Sequence, residues 1–182
     1  MNLNLFLIFT VVVSLLSLFN KVFLVLNKRV GWWFGILTGM VAMVYFYIIG
    51  LYILTFSEFG FLLVNVYGLT SHKNFNKNLN KKFSFVLSII SAMLLIFFFK
   101  NFLTIIEFLS SISFIWGAFF LVDENKKFFG WLMLIFAHIF TCISAFGKGE
   151  VLFSFFQILS GTAAFWGLIL SLKEKYKCEH NK

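Results

Sequence analysis

Residues 30–69 read VGWWFGILTGMVAMVYFYIIGLYILTFSEFGFLLVNVYGL, forty residues with Glu58 as their one formal charge. As a single α-helix this stretch would run about 60 Å, twice the roughly 30 Å hydrocarbon core of a bilayer. Gly50 and Tyr52 mark a turn ahead of Ser57 and Glu58. The stretch is therefore read as a hairpin of two spanning helices, 30–49 and 51–69. Lipid offers the backbone no hydrogen-bond partners, so helices are the natural form for such runs.

Working outward, the same length rule finds five more spans at 3–26, 83–99, 103–122, 128–146 and 151–172. The whole chain of 182 residues is 61% hydrophobic and 12% charged, with a mean hydropathy of +0.96. A soluble domain carries about 25% charged residues, so lipid must face most of this surface. The first span lacks a basic leader and is too long for a signal-peptide core, and it is read as a mature helix. Proline is absent, so any bend falls to Gly or Ser. Cys142 lies in an apolar run and Cys178 in the charged tail, which argues against a disulfide or a metal pair.

The net charge of +8 sits between the apolar runs, which points to topology and not to nucleic acid. With the N-terminus outside, the inner side collects Lys28, Arg29, Lys73, Lys77, Lys81, Lys82, Lys126, Lys127, Lys173, Lys175, Lys177 and Lys182. The outer side holds Lys100 and Lys148; Lys21 lies within a span and is left out. Such a bias is what the positive-inside rule expects of seven spans with the C-terminus in the cytoplasm.

Shifting the chain by 99 residues pairs Gly31-Trp32 with Gly130-Trp131, Gly50 with Gly149, and Tyr67-Gly68-Leu69 with Trp166-Gly167-Leu168. It also sets Ser14 on Ser113, Lys28 on Lys127 and Glu58 on Gln157. The shift crosses four helices, an even number, so both copies have one orientation and are parallel repeats. The expected fold is an all-α integral membrane protein with two parallel three-helix repeats joined by a linker helix, a 3+1+3 order. Residues 1–72 form the first repeat, 73–100 the linker, 101–172 the second repeat and 173–182 a basic cytoplasmic tail.

Trp33-Phe34-Gly35, Gly50-Leu51-Tyr52 and Asn65-Val66-Tyr67-Gly68 resemble the first half of the PnuC family of vitamin transporters. That family carries an aromatic-Phe-Gly opening, a Leu-Tyr before its third helix and an Asn-Ile-Tyr-Gly near that helix's end. The likeness covers residues 30–70, about a fifth of the chain. Where the family has Asn-Trp in its sixth helix, this chain has Gly130-Trp131. The resemblance implies the 3+1+3 order, shared with the SWEET sugar transporters. It also implies a bacterial inner (plasma) membrane location and a small-molecule substrate, with nicotinamide riboside the best guess.

Glu58 and Asn65 lie seven apart on one face of the third helix, with Gly68 on the same side. Gln157 is the repeat mate of Glu58, so the three could ring a central cavity and bind the hydroxyl and amide groups of a nucleoside-like vitamin. Trp131 and His138, also seven apart, could offer a stacking face and a hydrogen bond. Tyr67, inside the Asn65–Gly68 motif, is counted with them, and Trp116 and Trp166 are expected in the cavity. The alternatives are hydration of Glu58 near the outer interface, His138 as glue between helices, and the Trp and Tyr side chains as an interfacial belt. Glu107 is read as a carboxylate at the N-terminal end of its own helix.

No phosphate-binding loop, no His-Glu-x-x-His and no Gly-x-Ser-x-Gly occurs. An enzyme is therefore not expected, nor a cofactor. The expected partners are substrate and membrane lipid, and homo-oligomers are compatible with the fold. The reading is a facilitative transporter working by alternating access; its rivals are a non-transporting scaffold of the same fold and a sugar uniporter.

Overall fold

The computed structural model describes residues 3–26, 29–70, 77–123 and 126–180. They form seven helices: α1 (Leu3–Val25), α2 (Val30–Ile48), α3 (Tyr52–Thr70), α4 (Lys77–Phe98), α5 (Phe102–Val122), α6 (Lys127–Gly147) and α7 (Val151–His180). Among the described residues there is no strand. The helix ends fall within about two residues of the expected spans, with two differences. Helix α4 starts at Lys77, not residue 83, and α7 runs on to His180 through the basic tail. Lys28, Lys73 and Lys182 lie outside the described residues.

Among the described residues, six helices are long and apolar enough to cross a membrane. The apolar part of α4, Lys82–Phe98, is shorter. Large apolar side chains such as Ile96, Phe97 and Phe102 are exposed, as expected where the solvent is hydrocarbon.

The turns between paired helices have a local cause. Gly50 and Gly149 both have positive φ, +74° and +84°, a region where a side chain would clash with the backbone. At the end of α2, Leu51 N–H donates to Phe46 O at 2.9 Å and Gly50 N–H to Tyr47 O at 3.2 Å. At the end of α6, Glu150 N–H donates to Ala145 O and Gly149 N–H to Phe146 O, both at 2.9 Å. These are two copies of the Schellman motif, which satisfies the last carbonyls and reverses the chain.

Helix packing closes a ring. In order around it, α1, α2, α3, α5, α6 and α7 each touch the next, and α7 touches α1; α4 rests outside against α3 and α5. Small residues set the close approaches. A Cβ at Gly68 would stand 2.5 Å from the Trp32 ring, and one at Gly167 2.5 Å from the Trp131 ring. Buried hydroxyls tie helices together: Ser110 bonds Thr141 at 2.6 Å and the Ala137 carbonyl at 3.0 Å, and Ser91 meets Ser111 at 3.1 Å. Hydrogen bonds of this kind hold membrane helices where no hydrophobic force between them exists.

Glu107 does more than sit at its own helix end. Its Oε1 accepts the N–H of Ile53 at 2.6 Å and of Leu54 at 3.1 Å. It therefore caps the N-terminus of α3, the neighbouring helix in the ring, where a negative charge is favoured. Helix α5 is capped instead by Asn101, whose side chain accepts from Thr104 N–H at 3.3 Å.

Candidate functional site

At the centre of the ring lies a small cavity lined from five helices. Val13, Ser17 and Lys21 come from α1; Thr38, Ala42 and Phe46 from α2; Glu58 and Phe61 from α3; Phe114 from α5; Phe153 and Gln157 from α7. Its volume is about 10 Å³, room for about one water. Four Phe rings form apolar walls around one cation, one anion, an amide and two hydroxyls.

Glu58 and Gln157 both line this cavity. Glu58 is 5% exposed, and its Oε2 has no hydrogen-bond partner. It is thus enclosed by the ring. The sixth ring helix supplies no lining residue but bonds one, since His138 Nδ1 lies 2.8 Å from Gln157 Oε1. Only a protonated Nδ1 can donate to that carbonyl oxygen, which leaves Nε2 as an acceptor. That Nε2 is buried without a partner. His138 therefore does bind a neighbouring helix, and its outer nitrogen is still unused.

Asn65 lies one turn from the cavity wall. Its Nδ2 donates to Phe61 O at 2.7 Å, and its Oδ1 is the third partnerless acceptor. The side chain fills the notch left by Gly35, where a Cβ would collide with both Asn65 and Asn20. The other buried polar atoms without partners are hydroxyls of Ser84, Ser144 and Ser160.

The residues that sequence reasoning missed are Lys21 and Asn20. Lys21 is 1% exposed and Asn20 fully enclosed. Lys21 Nζ donates to Asn20 Oδ1 at 2.7 Å, and Asn20 Nδ2 donates to Gly31 O at 2.9 Å. The ammonium stands 4.7 Å from the Phe61 ring centre and 5.8 Å from that of Phe114. The signal was present: a lysine in the body of a span asks for a functional or pairing explanation.

The aromatic candidates separate. Trp131 is buried, but its ring is spent on packing against Gly167. Trp116 turns toward α4, where its Nε1 donates to Ser88 Oγ at 3.1 Å. Trp166 is 44% exposed, and Tyr67 is half-buried near the end of α3. None of these four lines the central cavity. Tyr45 is fully buried, and its hydroxyl donates to Glu150 Oε2 at 3.2 Å.

Among the described residues no cluster of His, Cys, Asp and Glu could hold a metal ion. Compared with known proteins, the chain matches no family model, no curated protein and no solved structure.

Proposed function

We propose that this chain is a facilitative membrane transporter for a small, ring-bearing polar solute, a vitamin or nucleoside, working by alternating access about the Glu58 cavity. The observation that carries the reading is the set of three buried acceptors without partners: Glu58 Oε2, Asn65 Oδ1 and His138 Nε2. Glu58 lines the cavity, and the other two bond directly to lining residues, Phe61 and Gln157. An unmet buried acceptor costs about 1–3 kcal/mol, a cost that a donor-bearing solute would relieve. Hydroxyls of a ribose and an amide NH₂ supply such donors, and the Phe walls suit a flat ring. The resemblance of residues 30–70 to the PnuC family makes nicotinamide riboside the first solute to test.

In this reading the helices are two parallel triplets, α1–α3 and α5–α7, with α4 as the linker. Three features support it. The contacts between triplets are α1 with α7 and α3 with α5, which a two-fold axis along the membrane normal exchanges. Gly50 and Gly149 make the same turn, and Trp32–Gly68 and Trp131–Gly167 the same close approach. The positive-inside bias then sets the N-terminus outside and the C-terminus in the cytoplasm, with α4 crossing on the shorter apolar stretch Lys82–Phe98, at the short end of what spans a bilayer. Rocking of the triplets would open a cavity that here admits about one water.

A second reading, a binding or scaffold protein that moves nothing, is favoured by how closed that cavity is. One experiment separates them. Purified protein is titrated calorimetrically with nicotinamide riboside, thiamine, uridine and glucose, and any binder is then tested for flux into liposomes. Saturable binding with flux that Glu58→Gln abolishes supports transport. Binding without flux, or no binding at all, moves the scaffold reading to first place.

A further inference from the structure

Lys21 is absent from the functional reading above, yet its ammonium holds the most telling position in the cavity. It faces two aromatic rings, Phe61 and Phe114, at 4.7 and 5.8 Å. It also shares the cavity wall with a carboxylate whose Oε2 is unpartnered. Aromatic faces next to a carboxylate are the means by which proteins bind organic cations. The ammonium donates its one hydrogen bond to Asn20 Oδ1 and none to Glu58, so it neutralises the carboxylate without saturating it.

We propose that Lys21 is a tethered competitor: its ammonium fills an organic-cation site formed by Phe61, Phe114 and Glu58, and an incoming solute cation must displace it. Three features of the structure give the displaced chain somewhere to go. Lysine carries its charge on a flexible four-carbon stem. Asn20 Oδ1 already accepts a hydrogen bond from the ammonium, and Asn65 Oδ1 is a free acceptor beside Asn20. The ligand class follows from the occupant: a monovalent organic cation whose charge can rest on an aromatic face. Lys21 thereby sets specificity, since a neutral solute of the same shape gains nothing by displacing it.

The proposal rests on the cavity being a solute site, so the probes are chosen to work even if no vitamin binds. Tetramethylammonium and its neutral isostere tert-butanol are titrated against wild type, Lys21→Met, Lys21→Arg and Lys21→Met/Glu58→Gln in detergent, with helicity and monodispersity checked for each. Lys21→Met should bind tetramethylammonium about tenfold tighter than wild type, the scale of a desolvated cation–π contact. Its affinity for tert-butanol should not change. The double variant should lose the gain. Lys21→Arg, whose guanidinium stacks better on rings, should bind the cation more weakly than wild type. Unchanged or weaker cation binding in Lys21→Met overturns the proposal, as does a gain that survives in the double variant. Should Lys21→Met not fold, equal or tighter binding in Lys21→Arg does the same. Failure of nicotinamide riboside to bind any variant, with the tetramethylammonium pattern intact, rejects the vitamin and keeps the cation site.

Discussion

Lys21 and Glu58 are opposite charges buried in one cavity wall without a direct hydrogen bond. Removing either leaves the other in a low-dielectric interior without its counter-charge, which is costlier than removing both. Glu58→Gln and Lys21→Met should therefore each destabilise the fold, and the double variant should be more stable than their sum predicts. A coupling of about 1–2 kcal/mol is expected, read from thermal unfolding in micelles; strict additivity would mean the charges do not sense each other. Gly35→Ala makes a different point. Its Cβ would enter the space held by Asn65 and Asn20, both fixed by buried hydrogen bonds to backbone carbonyls. Overpacking of about 1–3 kcal/mol is expected, with loss of solute binding because Asn65 must move. An unchanged melting temperature would show that this corner is slack.

Among the helices, the informative contrast is between the two Schellman turns. Gly149 has nothing within 4 Å of a Cβ, whereas Gly50 has Lys148 Nζ at 3.7 Å. Neither would suffer a clash, so Ala at each should cost only the left-handed backbone, about 1–2 kcal/mol. Similar losses of unfolding temperature at both positions would bear this out; a much larger loss at either would point to a contact beyond the backbone. Glu107 joins α5 to α3 by accepting two N–H groups at the α3 N-terminus. Glu107→Ala should cost about 1–2 kcal/mol, as for the loss of a strong cap. The loss should be accompanied by faster hydrogen exchange at Ile53 and Leu54, and protection that stays unchanged would refute the capping role.

At the scale of the molecule, the six-helix ring places every polar side chain of the cavity on an inward face while α4 stays outside. Lys126 and Lys148 are both exposed and lie at opposite ends of α6. In a variant lacking Cys142 and Cys178, cysteine at 148 should react with an impermeant maleimide from outside the cell. Cysteine at 126 should react only after permeabilisation. The reverse pattern would invert the topology read from the lysines, and labelling of both from one side would mean that α6 does not cross.

Hydropathy over twenty residues and the φ demand of a tight turn are local properties, so the sequence alone set the helices, most of their ends and the turn at Gly50. It also put Glu58 and Asn65 on one face of the third helix, since the 3.6-residue period fixes relative positions along a helix. What it could not decide is which faces meet. Trp131 and Trp116 offer good ligand surfaces, and only packing turned one onto Gly167 and the other toward Ser88. Lys21 was beyond local reading for the same reason. A lysine in a span can snorkel to the interface or turn inward. Only the assembled ring, which sets Asn20, Phe61, Phe114 and Glu58 around it, made the inward position the stable one.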